Sequence, residues 1–457
     1  MIAQDIFGLD LTLGDAAAAA PWNGAMLGFL SHGASTPGHL ADALRLDPDF
    51  ALAQTCRGLF CLMLGRREMH AAAADAARIA GASLAARGAT PRERLYLAAL
   101  ERWLDGQPSA AAAAMDDVLA IWPQDALAMK IGQGVRFMLG DQSGMRRAIE
   151  RVLPRAGADN PGIGYYHGCH AFTLEEAGDY AGAERAGMRA LDLAPDDAWG
   201  LHAVAHIYDM TARPDDGVAF VEANAAAWAH CNNFRYHVWW HLALLHLDRG
   251  DADRALALYD AEVRRDRTDD YRDISNATSL LMRLELEGVG VGDRWEELAG
   301  LCAARVDDGC LAFADLHYML ALCGGGRDAA ARDLIRRMHV DALHNIGEMD
   351  CVMRHPGLSV AKGLQAFTEG RHKAAFAALG SARGALLAIG GSHAQRDVFE
   401  RVTIEAAIRS GALAEARALI DDRSSRRGAW DGFGTSRARL VADLIDGATE
   451  PALDRLA

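Results

Sequence analysis

The chain has 457 residues, of which 51% are hydrophobic and 24% charged, and its net charge is −15. That length exceeds one ordinary core, so several domains or a repeat array are expected. The acidic balance disfavours a general nucleic-acid binder, which needs a basic face to displace counterions, and it disfavours docking on anionic lipid.

The N-terminal run MIAQDIFGLDLTLGDAAAAAPW carries acids where a secretory signal would carry lysine or arginine. No stretch approaches the roughly 18 uninterrupted apolar residues of a membrane-spanning helix. Eight cysteines are scattered without a CxxC pair, which reads as reduced thiols in a cytoplasmic protein.

Helical pairs follow in chain order. Pro48 leads to Gly58 and Gly65, and Pro123 leads to Gly140. From Gly164 come Ala171, Gly178, Tyr180, Ala183, Ala190 and Pro195: helix, glycine turn, helix, proline stop. Pro195 opens the next unit, which turns at Arg213-Pro214. Gly250 with Ala255, Gly325 with Ala330, Gly370 with Ala375 and Gly411 with Ala416 mark the rest. The fold expected is all-α, an α-solenoid of about eight tetratricopeptide-like helical pairs, because such units bury their faces only by stacking. It divides into N-terminal repeats over 1–125, central histidine-rich repeats over 126–265 and C-terminal repeats over 266–457. Residues 265–275 are highly charged and read as a loop or helix start.

Histidine is the unusual feature. Of 17 in the chain, eight fall between 167 and 246. His202 and His206 are four apart and share one helix face. Counting from the repeat marks puts His202, His206, His237 and Trp240 inward, with Asp209 and Met210 one turn on. His167, His170 and His241 fall nearer the helix-packing side. Imidazole serves acid–base chemistry near neutrality and binds transition metals. His202, His206 and His237 are therefore the catalytic candidates, and His202 with His206 the metal candidates. No HExxH is present, since Ala203 follows His202, and a metal site wants a third ligand. A transition metal is accordingly not favoured, and core histidines bonded to backbone carbonyls are the plain alternative.

Four motifs occur in order: WGLHAVAHIYDM (199–210), YHVWWHLALLHLDRGD (236–251), ADLHYMLAL (314–322) and IGGSHAQRDVF (389–399). Together the chain resembles the tetratricopeptide repeat protein 38 family, most strongly from about 160 to 400. The resemblance implies an all-α solenoid and carries no reaction with it. It adds Asp315, His317, Gln395, Arg396 and Asp397 to Trp240, His241, His170 and Asp209 as candidate ligand-binding residues. Ser392 reads as an N-cap, and Arg396 at that helix start could clamp a carboxylate or phosphate.

Two functions stand. The first is a histidine-lined interior pocket for a small molecule or short peptide end, with acid–base or metal-assisted catalysis as its stronger form. The second is an adaptor whose concave groove takes a partner peptide, with Lys130 and Arg136 as candidate contacts. Self-association through a terminal pair stays open.

Overall fold

The computed structural model describes residues 2–344 and 346–447. Residue 1 and residues 448–457, the outer ends of the first and last expected divisions, lie outside the described residues. The fold is all-α and built of antiparallel helical pairs of the tetratricopeptide type. No helix among the described residues is long and apolar enough to cross a membrane.

Contacts separate two compact units. The first comprises residues 2–204, 224–235 and 346–349; the second comprises 205–223, 236–344 and 350–447. In the first, Ile163–Glu176 pairs with Tyr180–Leu193. Gly178 joins them at φ +80°, a value that L side chains rarely adopt. Asp179 then caps the second helix, its carboxylate accepting from the Gly182 N–H at 2.9 Å. A Cβ on Gly164 would lie 2.5 Å from that of Ala194, so a small residue there lets the two helices close. Trp22, Phe50, Leu100, Met115 and Tyr166 belong to the apolar core of this unit.

The first unit also carries a ribbon absent from the sequence reading. Ile2–Gln4 pairs antiparallel with Asp10–Thr12. Leu9, Leu11, Thr12 and Leu13 are buried and Asp10 is exposed, so the second strand and its flanks face the core. Glu93 anchors the ribbon by accepting from the Thr12 N–H at 2.9 Å and its hydroxyl at 2.8 Å.

In the second unit, Tyr271–Leu286 packs on both Ala312–Gly324 and His393–Arg409. His393–Arg409 continues into Leu413–Arg427 and Gly432–Ile445. Ile404, Ile420 and Phe433 share an apolar core there. The charged run 265–275 does end in a helix start, at Tyr271.

Candidate functional site

His202 and His206 lie one turn apart on Ala198–Met210. His202 belongs to the first unit and is 1% exposed. It sits in an aromatic nest, with Phe172, Trp199 and Phe234 rings centred 5.7, 5.0 and 5.4 Å away. His206, His237, His241 and His393 are gathered in the second unit.

There, Phe234–Asp248 presents His237, Trp240 and His241 at i, i+3 and i+4, on one face. Tyr271–Leu286 answers with Asn276, Ser279 and Arg283 at the same kind of spacing. His237 Nδ1 lies 2.8 Å from Asn276 Oδ1. The Trp240 indole N–H donates to Ser279 Oγ at 3.0 Å, and its ring stacks on His237 at 5.1 Å. His241 Nε2 is 3.2 Å from His237 Nε2, and the His206 and His241 ring centres are 4.4 Å apart. His393 comes from 187 residues along the chain to place Nε2 3.4 Å from His206 Nδ1. Burial pushes the pKa of His237 down to about 3, against the favourable Asn276 contact. Burial, then His206 and His237, hold His241 well below its ordinary 6.5. Both rings are therefore neutral at physiological pH. The register count that set His241 toward the packing side is corrected here: the ring one turn after His237 lies inside the cluster.

A charged layer lies beside it. The Arg283 guanidinium carbon stands 5.4 Å from the Trp240 ring centre. Its two terminal nitrogens donate to the carbonyls of Ser279 at 3.2 Å and Ala394 at 2.6 Å, and Asp397 is 3.9 Å away. Asp397 itself is bound more closely by Arg423 at 2.6 Å and Arg401 at 2.7 Å. Burial alone would raise the Asp397 pKa, but Arg423 and Arg401 overcome it and hold the carboxylate well below 3.8. Asp431 bridges Arg423 at 2.7 Å, and Arg427 binds Asp209 at 2.9 Å. A cavity of about 270 Å³ opens against this layer, lined in part by Asp209, Arg283, Asp397, Arg401, Leu244 and Phe433.

Other expected site residues are placed elsewhere or engaged locally. His170 lies in the first unit, with Glu150 at 3.8 Å. Asp315 is buried on Arg337 at 2.5 Å, and burial raises its pKa to about 6 against that pairing. His317 Nδ1 lies 2.8 Å from the Phe313 carbonyl, and burial pushes its pKa down to about 4. Gln395 and Ser392 form a reciprocal capping box: Gln395 N–H donates to Ser392 Oγ at 3.2 Å, and Ser392 N–H to Gln395 Oε1 at 2.9 Å. Gly391 just before it sits at φ +76°, and a Cβ there would meet Phe313 at 2.5 Å. Ser392→Ala is expected to cost about 1 kcal/mol, read as a lower midpoint in urea at unchanged slope. Arg396 bends back onto the Gly390 and Gly391 carbonyls, so the guanidiniums that reach Asp397 are those of Arg423, Arg401 and Arg283. Lys130 is 7% exposed and lies over Trp199 at 5.0 Å. Arg136 pairs with Asp116 at 2.7 Å.

Sequence reasoning missed His393, Asn276, Ser279 and Arg283. His393 stands in the GGSHAQRD run, one residue from the serine that was singled out. The i, i+3, i+7 spacing of Asn276, Ser279 and Arg283 was available, but it begins where the charged run obscured the helix.

No family model matches the sequence. Among solved structures, the human IFIT1 dimer with PPP-AAAA is similar at a TM-score of 0.41 and 14% identity, over 86% of this chain and 94% of that one. A structure of Naa15/Naa10 bound to HypK-THB is similar at a TM-score of 0.23 and 12% identity, over 85% of this chain and 65% of that one. Likenesses this distant carry no argument about function. A helical repeat protein of the tetratricopeptide type is the assignment that stands, and the narrower family remains a resemblance.

Proposed function

We propose that this protein binds a small carboxylate-bearing molecule or a short peptide end in the cavity of its second unit. Arg283 carries the reading. It is 1% exposed, its Nε has no hydrogen-bond partner among the described residues, and it lines the cavity. Each neighbouring carboxylate is held more tightly by another arginine: Asp397 by Arg423 and Arg401, Asp209 by Arg427, and Glu287 by Arg437 at 3.1 Å. Burial and then Arg401 push the Arg283 pKa down to about 9, against Asp397 and Asp209. A guanidinium does not give up its proton at neutral pH, so the shift expresses an unmet demand for negative charge. A ligand carboxylate beside the guanidinium would supply the missing charge.

The opposite end of a zwitterion also has a partner. Asp248 lines the same cavity and accepts from the Gly432 N–H at 2.7 Å. Its pKa is raised by burial and by Asp431, so an ammonium group beside it would be favoured. A volume near 270 Å³ suits a ligand smaller than the roughly 300–1,000 Å³ typical of drug-sized sites. The adaptor reading loses its cations, because Lys130 and Arg136 are buried. Acid–base work by His237 is disfavoured because burial holds its pKa near 3, which makes the ring a weak base.

The test is thermal melting of the full chain against free amino acids, dipeptides and simple carboxylates. At roughly 100 times Kd, a ligand adds about 2.7 kcal/mol, a shift of several degrees. Arg283→Gln should abolish the shift. If no compound moves the wild-type melting point by more than about 1 °C, or if Arg283→Gln responds equally, the proposal fails.

A further inference from the structure

We infer that His206, His237 and His241 form a three-histidine site for a divalent transition ion of the zinc or copper kind, with Asn276 and His393 orienting two of the ligands. The inference concerns the cluster beside the cavity and does not rest on the cavity's ligand.

The geometry carries it. One ligand nitrogen from each of the three histidines lies within 4.8 Å of the others. In a tetrahedral site with metal–nitrogen bonds of about 2.0–2.1 Å, neighbouring ligand nitrogens are separated by about 3.3–3.4 Å. His237 Nε2 and His241 Nε2 already stand 3.2 Å apart, so one edge of that tetrahedron is in place. The His206 ring centre lies 4.4 Å from that of His241, so the third ligand stands beside that edge.

The far nitrogens are oriented as a metal requires. An Nδ1–H of His237 donating to Asn276 Oδ1 at 2.8 Å leaves its Nε2 as the lone-pair nitrogen. His206 places Nδ1 3.4 Å from His393 Nε2. A ligating imidazole whose second nitrogen is held by a hydrogen-bonding group is the usual arrangement around bound metals, because it fixes tautomer and ring angle. Trp240 adds rigidity by stacking on His237 at 5.1 Å while its indole is tied to Ser279. His206 and His241 are 0% and 1% exposed, and His237 is 9% exposed, so water competes weakly once an ion is seated. Three imidazole ligands suit zinc, copper, nickel or iron rather than magnesium and calcium, which take oxygen ligands.

The competing arrangement has His241 donating Nε2–H to His237 Nε2, with no ion between them. The two arrangements predict opposite results. Full-length protein is stripped with chelator, then titrated with Co²⁺ while its visible spectrum is followed, and dialysed against Zn²⁺ for elemental analysis. The expected result is about one ion per chain and an intense tetrahedral cobalt spectrum. His241→Gln and His206→Gln, which remove ligands, should each weaken binding by more than roughly 100-fold. Asn276→Ala and His393→Gln leave all three ligands in place and should each weaken it by roughly 10–100-fold. These two keep the test decisive if a ligand variant fails to fold. His70→Gln, at an exposed histidine of the first unit, should change nothing. Less than about 0.2 ion per chain, or retained wild-type affinity in His241→Gln or in both orienting variants, overturns the site.

Discussion

Asp397→Ala is expected to destabilise the second unit by about 3–5 kcal/mol, the usual cost of removing one partner from a buried ion pair. The cause is what stays behind. Arg423 is 2% exposed and loses bonds of 2.6 and 2.9 Å, Arg401 loses one of 2.7 Å, and Arg283 loses the carboxylate 3.9 Å away. Asp431 still neutralises part of Arg423, so a second substitution, Arg423→Met, should recover some of the loss in a double-mutant cycle. The effect must depend on pH in one direction. The folded pKa of Asp397 lies well below 3.8, so its contribution is present in full above the unfolded value and is lost as pH falls through and below it. The gap between wild type and variant in urea melts should therefore be widest near neutrality and narrow below about pH 4. A gap that is constant or grows toward acid would contradict the charge assignment.

The second large effect is expected in the first unit. Asp125 is fully buried. It accepts from Arg92 Nε at 2.7 Å, from the Tyr96 hydroxyl at 2.9 Å and from the Ala128 N–H at 3.0 Å. It thus neutralises a cation, satisfies a phenol and caps the helix Ala126–Met138. Asp5, 3.0 Å from Arg92, shares the charge. Asp125→Ala should cost about 3–5 kcal/mol through the stranded arginine, with the lost cap adding about 1 kcal/mol. Asp125→Asn, which keeps the shape and an acceptor oxygen, should cost less. Hydrogen exchange resolved along the sequence checks both predictions together. The Asp125 variant should expose amides of the first unit, and the Asp397 variant those of the second.

The repeat was legible because its marks are local. Gly178, Gly250, Gly370 and Gly411 all take positive φ between paired helices, a backbone demand that the residue type announces. The N-terminal ribbon was not legible. Its alternation in LDLTL spans five residues, and its anchor on Glu93 lies 81 residues away. The site divides in the same manner. His237, Trp240 and His206 follow from helical periodicity, whereas His393 meets His206 only because two helices far apart in sequence pack together. Arg396 shows the limit most plainly. Residue type and position suggested an anion clamp; the loop carbonyls of Gly390 and Gly391, which accept from Arg396 Nη1, carried no mark in the sequence. Arg283, which no motif marks, lines the cavity together with Arg401.

Arg283 is the residue on which ligand binding turns. The direct measurement is a crystal structure of the full chain soaked with the amino acid or dipeptide that most raises its melting point. Ligand density is expected in the second unit's cavity, with a carboxylate oxygen roughly 2.7–3.2 Å from a nitrogen of the Arg283 guanidinium. Ligand density at any other place, or a cavity holding only water at saturating ligand, would contradict the proposal.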